Sequence, residues 1–250
     1  MKIALITGGS RGLGKSMALH LAQKGHDVII TYQHSKIEAQ NVVDEIVQGG
    51  QKAALLQLDI AQTKMFPLFL EELQLLLASQ WNTHRFDILI NNAGIGINTP
   101  FMETTEEQFD TLMNIHLKGT FFFIQTVLPI LNDGGRILNI SSGLARFVMP
   151  GFAAYAMMKG GIEVLTRYLA FELGKRNITV NVIAPGAIAT DFGGGVVRDN
   201  ANANAYIASQ IALGRVGLAD DIGAAVSMLV SDDAHWINGE RIEVSGGMRL

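Results

Sequence analysis

The chain has 250 residues, 48% of them hydrophobic and 17% charged, with a formal net charge of -4. That describes a well-buried globular protein, one large α/β domain or two small ones, and excludes a disordered chain. The mild charge, with no Lys/Arg block longer than two residues, leaves no footprint for nucleic acid or an anionic membrane, and the lack of cysteine leaves neither disulfides nor thiolate chemistry.

The first strand-like run, Ile3–Ile6, follows Met1 almost at once. It is too short, and too soon followed by glycines, for a signal peptide, and no apolar run reaches the ~18 residues of a membrane span. A soluble cytoplasmic protein is the expectation. Next comes Thr7-Gly8-Gly9-Ser10-Arg11-Gly12-Leu13-Gly14, opening a helical pattern over 14–24. Glycines here permit a tight turn, let the backbone approach a pyrophosphate and bring the helix against the strand, while the helix start offers free N–H groups to phosphate. No Gly-Lys-Ser/Thr follows, which disfavours a nucleoside triphosphate. A dinucleotide is the expected ligand.

The second strand, 28–31, runs on into Tyr32-Gln33-His34 without a carboxylate. An acidic residue there would grip the adenosine ribose hydroxyls of NAD. Its absence, with Arg11 in the glycine loop and Lys36 as a second cation for a 2′-phosphate, predicts NADP(H) over NAD(H).

A helical pattern over 37–47, a strand at 53–58 and a helix at 66–78 follow, then a polar loop over 79–85 and a fourth strand at 88–91. The next helical pattern spans 106–131 and contains Phe121, Phe122 and Phe123. Each residue advances ~100° around the axis, so these rings cannot all face a sheet, and a second apolar surface for self-association is expected. After a strand at 136–140 comes Ser142, then a helix over 153–175 carrying Tyr155 and Lys159. Residues four apart share one helical face, so a phenol and an ammonium occupy one small volume. The positive charge favours the phenolate, which predicts a Tyr155 pKa far below the ~10 of free tyrosine.

A strand at 179–183 leads to a long segment, 187–213, with Gly193-Gly194-Gly195 and the low-complexity Asn200-Ala201-Asn202-Ala203-Asn204-Ala205. It reads as an irregular substrate lid with glycine hinges. A helix at 220–230 and the strand Arg241–Val244 close the chain. Seven strands alternating with helices, and no linker, predict one α/β domain over 1–250: a doubly wound parallel sheet with helices on both faces. The six histidines have no pair four apart, so a helical metal site is unsupported.

Together these residues resemble a short-chain dehydrogenase/reductase, a single-domain Rossmann fold, from Lys2 to Gly247. Thr7-Gly8-x-x-x-Gly12-x-Gly14 matches the family's cofactor motif. Asp59, with Ile60 beside it, matches the residue that holds the adenine amino group, and Asn91-Asn92-Ala93-Gly94 the motif after the fourth strand. Asn114, Ser142, Tyr155 and Lys159 fall where the family carries its catalytic four, and Pro185-Gly186-x-Ile188-x-Thr190 matches the segment lining the nicotinamide.

The resemblance implies a mechanism. Ser142 hydrogen-bonds the substrate carbonyl and Tyr155 protonates it as hydride arrives from nicotinamide. Lys159 lowers the Tyr155 pKa and binds the ribose, Asn114 holds a relay water, and Thr190 with the Ile188 backbone holds the carboxamide. Ser141 is the alternative to Ser142, and the spacing to Tyr155 favours Ser142. Asp59 is alternatively only a helix N-terminal residue, and Asn92 is expected to be partly a turn former.

The expected substrate lining is apolar: Ile95, Ile97, Leu144, Phe152, Ala187 and, on the lid, Phe192, Tyr206 and Ile207. That suits a small apolar ketone or an acyl thioester. Within the family the chain is similar to 3-oxoacyl-acyl-carrier-protein reductases at Leu213-Gly214-Arg215-Val216-Gly217 and Val244-Ser245-Gly246-Gly247. Arg176 fills one basic docking position of that subgroup, but Asp133 stands at the other and Ser245 replaces an aspartate. A broader carbonyl reductase fits at least as well. An NAD-dependent alcohol, sugar or steroid dehydrogenase and a catalytically silent dinucleotide sensor are the competing readings. The family resemblance also implies a homotetramer or homodimer.

Overall fold

The computed structural model describes residues 2–250. In chain order the elements are β1 (Ile3–Ile6), α1 (Gly12–Gln23), β2 (Asp27–Tyr32), α2 (Lys36–Gln48), β3 (Ala53–Gln57), α3 (Phe66–Trp81), β4 (Phe86–Asn91) and α4 (Glu106–Met113). After a π-turn over Asn114–Gly119 come α5 (Thr120–Val127), β5 (Leu131–Ile140), α6 (Ala153–Glu172), β6 (Thr179–Pro185), α7 (Val196–Asp199), α8 (Ala201–Ala208), α9 (Ala219–Leu229) and β7 (Arg241–Val244).

The seven strands make one parallel sheet ordered β3-β2-β1-β4-β5-β6-β7. Successive side chains on a strand point to opposite faces. Leu5, Ile29, Leu89, Ile137 and Val180 therefore pack with α3, α5 and the end of α6, through Phe69, Leu73, Phe123 and Ala170. Their neighbours Ile6, Ile30, Ile90 and Leu138 pack on the other face with α1, α2 and α9, through Met17, Leu21, Val42 and Val226. Burial on both faces is why these strands read as unbroken apolar runs. The strand order reverses between β1 and β4, and there a crevice opens beyond the strands' C-terminal ends, where open α/β sheets take their ligands. No helix among the described residues is long and apolar enough to cross a membrane.

Three segments differ from expectation. The polar loop at 79–85 is partly helix: α3 runs to Trp81, whose Nε1 donates to Asp27 at 2.7 Å, and Asn82 ends it in the left-handed region. The segment 187–213 is not irregular, because Asn200 caps α8 by accepting from the Ala203 N–H at 3.0 Å, and alanine favours the helix that follows. The single helix expected over 106–131 is interrupted by the π-turn. There Gly119 meets the loop after β3 so closely that a Cβ would lie 2.2 Å from the Ile60 carbonyl oxygen.

Candidate active site

The crevice is walled by the glycine loop. Gly9 N–H donates to the Thr31 carbonyl (2.8 Å) and Gly8 N–H to the Thr31 hydroxyl (3.2 Å), tying the loop to β2. Just past β4, Asn92 Nδ2 donates to the carbonyls of Thr7 (2.9 Å) and Gly8 (3.0 Å), while the Thr7 hydroxyl accepts from the N–H groups of Asn92 and Ala93, each at 3.0 Å. Asn92 is thus a structural clamp. Gly12 has φ of 55°, and a Cβ on Gly14 would sit 2.1 Å from the Gly8 carbonyl oxygen. A side chain at position 14 would clash with the loop that α1 starts against, and one at position 12 would strain its left-handed backbone.

Around this cradle, Arg11 is exposed and makes no side-chain capping bond, whereas Lys15 pairs with Glu45 at 3.0 Å. Tyr32 is buried at the end of β2. Asp59 accepts from the Ala61 N–H at 3.0 Å, and Ile60 is buried behind it. Beyond β6, Gly186 packs so tightly on Ser245 that a Cβ would approach its backbone to 2.9 Å. Ile188 bridges to Gly217, and Thr190 faces Gly12 across the crevice.

On α6, Tyr155 and Lys159 lie buried on one face, each 5% exposed. Lys159 Nζ donates to the Ile140 carbonyl at 2.8 Å and lies 5.6 Å from the Tyr155 ring centroid. Ser142, just past β5, caps a short turn by accepting from the Leu144 N–H at 3.2 Å. Its hydroxyl also acts on Tyr155, pulling its pKa down, but burial dominates and pushes Tyr155 above its ordinary value. This reverses the expectation of a depressed tyrosine. Burial also lowers Lys159 to about 7, so the ammonium meant to stabilise the phenolate is itself disfavoured.

Ser141 does different work from Ser142. Its hydroxyl donates to Glu163 at 2.6 Å, and Glu163 also accepts from Arg241 Nε at 2.7 Å. Arg241 reaches Glu243 at 3.0 Å and the Ser142 carbonyl at 3.4 Å, while Arg146 forks onto Glu243 at 2.6 and 2.7 Å. Arg146 is thus paired with Glu243. Glu163 and Arg241 escaped sequence reasoning, although Glu163 continues the four-residue spacing of Tyr155 and Lys159.

The structure brings Ser142, Tyr155 and Lys159 together. Asn114 is half-buried at the start of the π-turn and makes no side-chain hydrogen bond to the other three. From this segment the His116 ring meets Tyr155, with ring centroids 5.4 Å apart, and Leu117 packs in the same cluster. Reading 106–131 as one α-helix hid this, because a π-turn changes which residues face inward.

A cavity of about 620 Å³ is lined by Asn98, Leu144, Val148, Met149, Phe152 and Ala156 among others, of which Leu144 and Phe152 pack in the same cluster as Tyr155. Leu144 and Phe152 were expected there. Phe192 lies 5.8 Å from the Tyr155 ring and packs on Gly96, and Ile97 packs in the same small cluster as Tyr155. Ile95 is partly exposed. Ala187 and Ile207 pack together with Ile211 and Met248. Tyr206 is 61% exposed on α8 and does not line the cavity.

A family model described as enoyl-(acyl carrier protein) reductase matches residues 8–249. The chain is 37% identical over 251 residues to the 3-oxoacyl-(acyl-carrier-protein) reductase FabG of Staphylococcus epidermidis, covering 100% of this chain and 99% of the relative. It is 36% identical over 264 residues to a hydroxynaphthalene reductase-like protein, Arp2, of Metarhizium majus, covering 98% and 94%. Among solved structures, the angucycline C-6 ketoreductase LanV with bound NADP superimposes with a TM-score of 0.94 at 34% identity, covering 100% of this chain and 96% of that one.

Proposed function

The chain belongs to the short-chain dehydrogenase/reductase family of NAD(P)-dependent oxidoreductases, and on that premise we propose that it reduces an apolar ketone to its alcohol using NADPH. The observation that carries this reading is the grouping of buried Tyr155 and Lys159 with half-buried Ser142, next to a mostly apolar cavity whose Leu144 and Phe152 pack in the Tyr155 cluster. Burial holds Tyr155 protonated, the form a proton donor needs, and works against the phenolate that alcohol oxidation would require.

The glycine loop, with Gly8, Ser10, Gly12 and Leu13 at the start of α1, would hold the pyrophosphate; Asp59 and Ile60 would face the adenine, and Ala93 and Gly94 the ribose. Pro185, Gly186, Ile188 and Thr190 would hold the nicotinamide end. Bound there, NADPH supplies the hydride. The absence of a carboxylate after β2 and the unpaired Arg11 support the 2′-phosphate form, and LanV, named as binding NADP, is a relative with that cofactor.

Ser142 would orient the substrate carbonyl, and Tyr155 would deliver its proton to the carbonyl oxygen while Lys159 stabilises the charge left on the phenol. Leu144, Phe152 and Phe192 would exclude water from the reacting carbon, with α7 and α8 serving as the lid. Fused-ring aromatic ketones are the first class to assay, given the names of two relatives.

Reduction of a carrier-borne 3-oxoacyl thioester is the second reading, favoured by the FabG relative. One observation weighs against it: Arg176, the basic docking position, is already paired with Asp133 at 2.7 Å and donates to the Leu128 carbonyl at 3.1 Å. The exposed Phe121, Phe122, Tyr168 and Phe171 on α5 and α6 support a homodimer or homotetramer.

The test is NADPH oxidation with a panel of fused-ring ketones, diketones and acetoacetyl thioesters on coenzyme A and on acyl carrier protein. Turnover of ketones, with no advantage for the carrier-borne thioester, is expected. NADPH binding without turnover of any carbonyl would instead favour a dinucleotide sensor.

A further inference from the structure

His116 is a histidine almost wholly enclosed, 2% exposed, in the middle of the π-turn. Its ring meets Tyr155 edge to face, with an interplanar angle of 86°. Its Nε2 lies 2.8 Å from the Ile95 carbonyl oxygen and 3.4 Å from the Ile95 nitrogen. One ring nitrogen cannot donate to the first and accept from the second. The shorter contact, to oxygen, requires a proton on Nε2 and so leaves Nδ1 bare in the neutral ring.

Gly94 is shaped for this ring. A Cβ there would lie 2.6 Å from His116 Cε1, so position 94 has to be glycine for the imidazole to reach Ile95. The π-turn, the glycine and the bond to Ile95 are three separate features that converge on one side-chain position. A π-turn is an unusual element found often at functional sites.

We infer that His116, and not Asn114, completes this active site, as a positioning residue whose Nε2–H clamps the Ile95 carbonyl and so fixes the loop after β4 against the Tyr155 ring. The ring works uncharged: burial first, and then the Lys159 charge, hold its pKa down to about 3 against the opposing Ile95 bond. Tyr155 and Lys159 on α6 and the Gly94–Ile95 backbone after β4 are the groups that face it. Lys159 is the charged group among them. A neutral imidazole gives the site a directed hydrogen bond without a second cation beside Lys159.

The inference rests on the carbonyl-reductase reading only for its activity arm. The direct arm is nitrogen NMR of the histidine side chains in the intact protein, assigned with His116→Phe. An Nε2–H tautomer that does not titrate between about pH 5 and pH 9 is expected. An Nδ1–H tautomer, or titration inside that window, would overturn the inference.

In the activity arm, His116→Phe keeps a ring against Tyr155 but removes the donor. Its kcat should fall on the order of 10²-fold, the scale set by small misplacements of reacting groups. NADPH affinity, read by fluorescence, should stay within about threefold, and Asn114→Ala should keep kcat within about twofold. Unchanged kcat in His116→Phe, or an equal loss in Asn114→Ala, would overturn it. Should His116→Phe fail to fold, Asn114→Ala and the tautomer, assigned by selective labelling, still decide. Should no carbonyl be turned over at all, the carbonyl-reductase reading fails while the tautomer measurement stands.

Discussion

Lys159 donates to the Ile140 carbonyl at 2.8 Å while its Nζ lies 5.6 Å from the Tyr155 ring centroid, both side chains buried on one face of α6. An ammonium without a carboxylate partner, taken out of water, costs stability. Lys159→Met keeps the length and removes the charge. The variant should lose turnover yet melt higher at neutral pH by a few degrees, since about 1 kcal/mol corresponds to roughly 2–4 °C for a domain of this size. Calorimetry beside an NADPH-oxidation assay reads both. A variant that melts lower would show that the Ile140 bond outweighs the burial cost.

The same lysine fixes a pH dependence of stability. Its folded value, about 7, lies below its ordinary 10.5. Between those values the unfolded chain keeps a proton that the folded chain has released, so this group makes stability rise with pH across that window. Below about pH 7 the full cost remains. The melting advantage of Lys159→Met should therefore be largest near about pH 6 and shrink toward about pH 10, as followed by calorimetry across buffers.

Turnover should show the opposite trend. Tyr155 stays protonated well into the alkaline range because burial raises it, so proton supply is not what fails first. The Lys159 charge that stabilises the departing phenolate is lost as pH rises through about 7. Reductive kcat/KM should accordingly decline on the alkaline side of about pH 7, where a bell-shaped profile would otherwise hold its plateau. A flat profile up to about pH 9 would mean that Lys159 works uncharged.

Arg11 stands exposed at the start of α1 with no side-chain capping bond of its own. Arg11→Ala should weaken NADPH by about tenfold, the scale of one charge-assisted phosphate contact, and leave NADH nearly unchanged. Fluorescence titration of both cofactors decides this. Equal loss for both would place Arg11 at the shared pyrophosphate instead of the 2′-phosphate.

Much of this architecture was legible because physics left a local trace. Strands such as β1 and β2 are buried on both faces, so they had to be apolar throughout, and the glycine loop had to be glycine where Gly14 meets the Gly8 carbonyl. The π-turn left no such trace: at its end Gly119 meets the Ile60 carbonyl, a contact between segments far apart in sequence. Asn114 came from the family resemblance, whereas reading the segment as a continuous α-helix gave no signal for the His116 ring that meets Tyr155. The Tyr155–Lys159 spacing was likewise readable, but not the enclosure that makes burial outweigh charge.

Glu163 tests how far the catalytic geometry depends on its support. It accepts from Ser141 at 2.6 Å and Arg241 at 2.7 Å, and Arg241 in turn donates to the Ser142 carbonyl. The Glu163 and Arg241 side chains are only 13% and 22% exposed, so removing the carboxylate strands a mostly buried guanidinium. Glu163→Ala should cost about 3 kcal/mol or somewhat less, given that residual exposure and the remaining Arg241–Glu243 pair. Urea unfolding measures that loss. Below the unfolding transition, kcat should also drop, because Ser142 loses the anchor of its backbone while the cofactor cradle on β1, β2 and β4 is untouched. Glu163→Gln, which still accepts from Ser141 and Arg241, should recover part of both losses. Full kcat in a folded Glu163→Ala protein would show that Ser142 is held by its own turn alone.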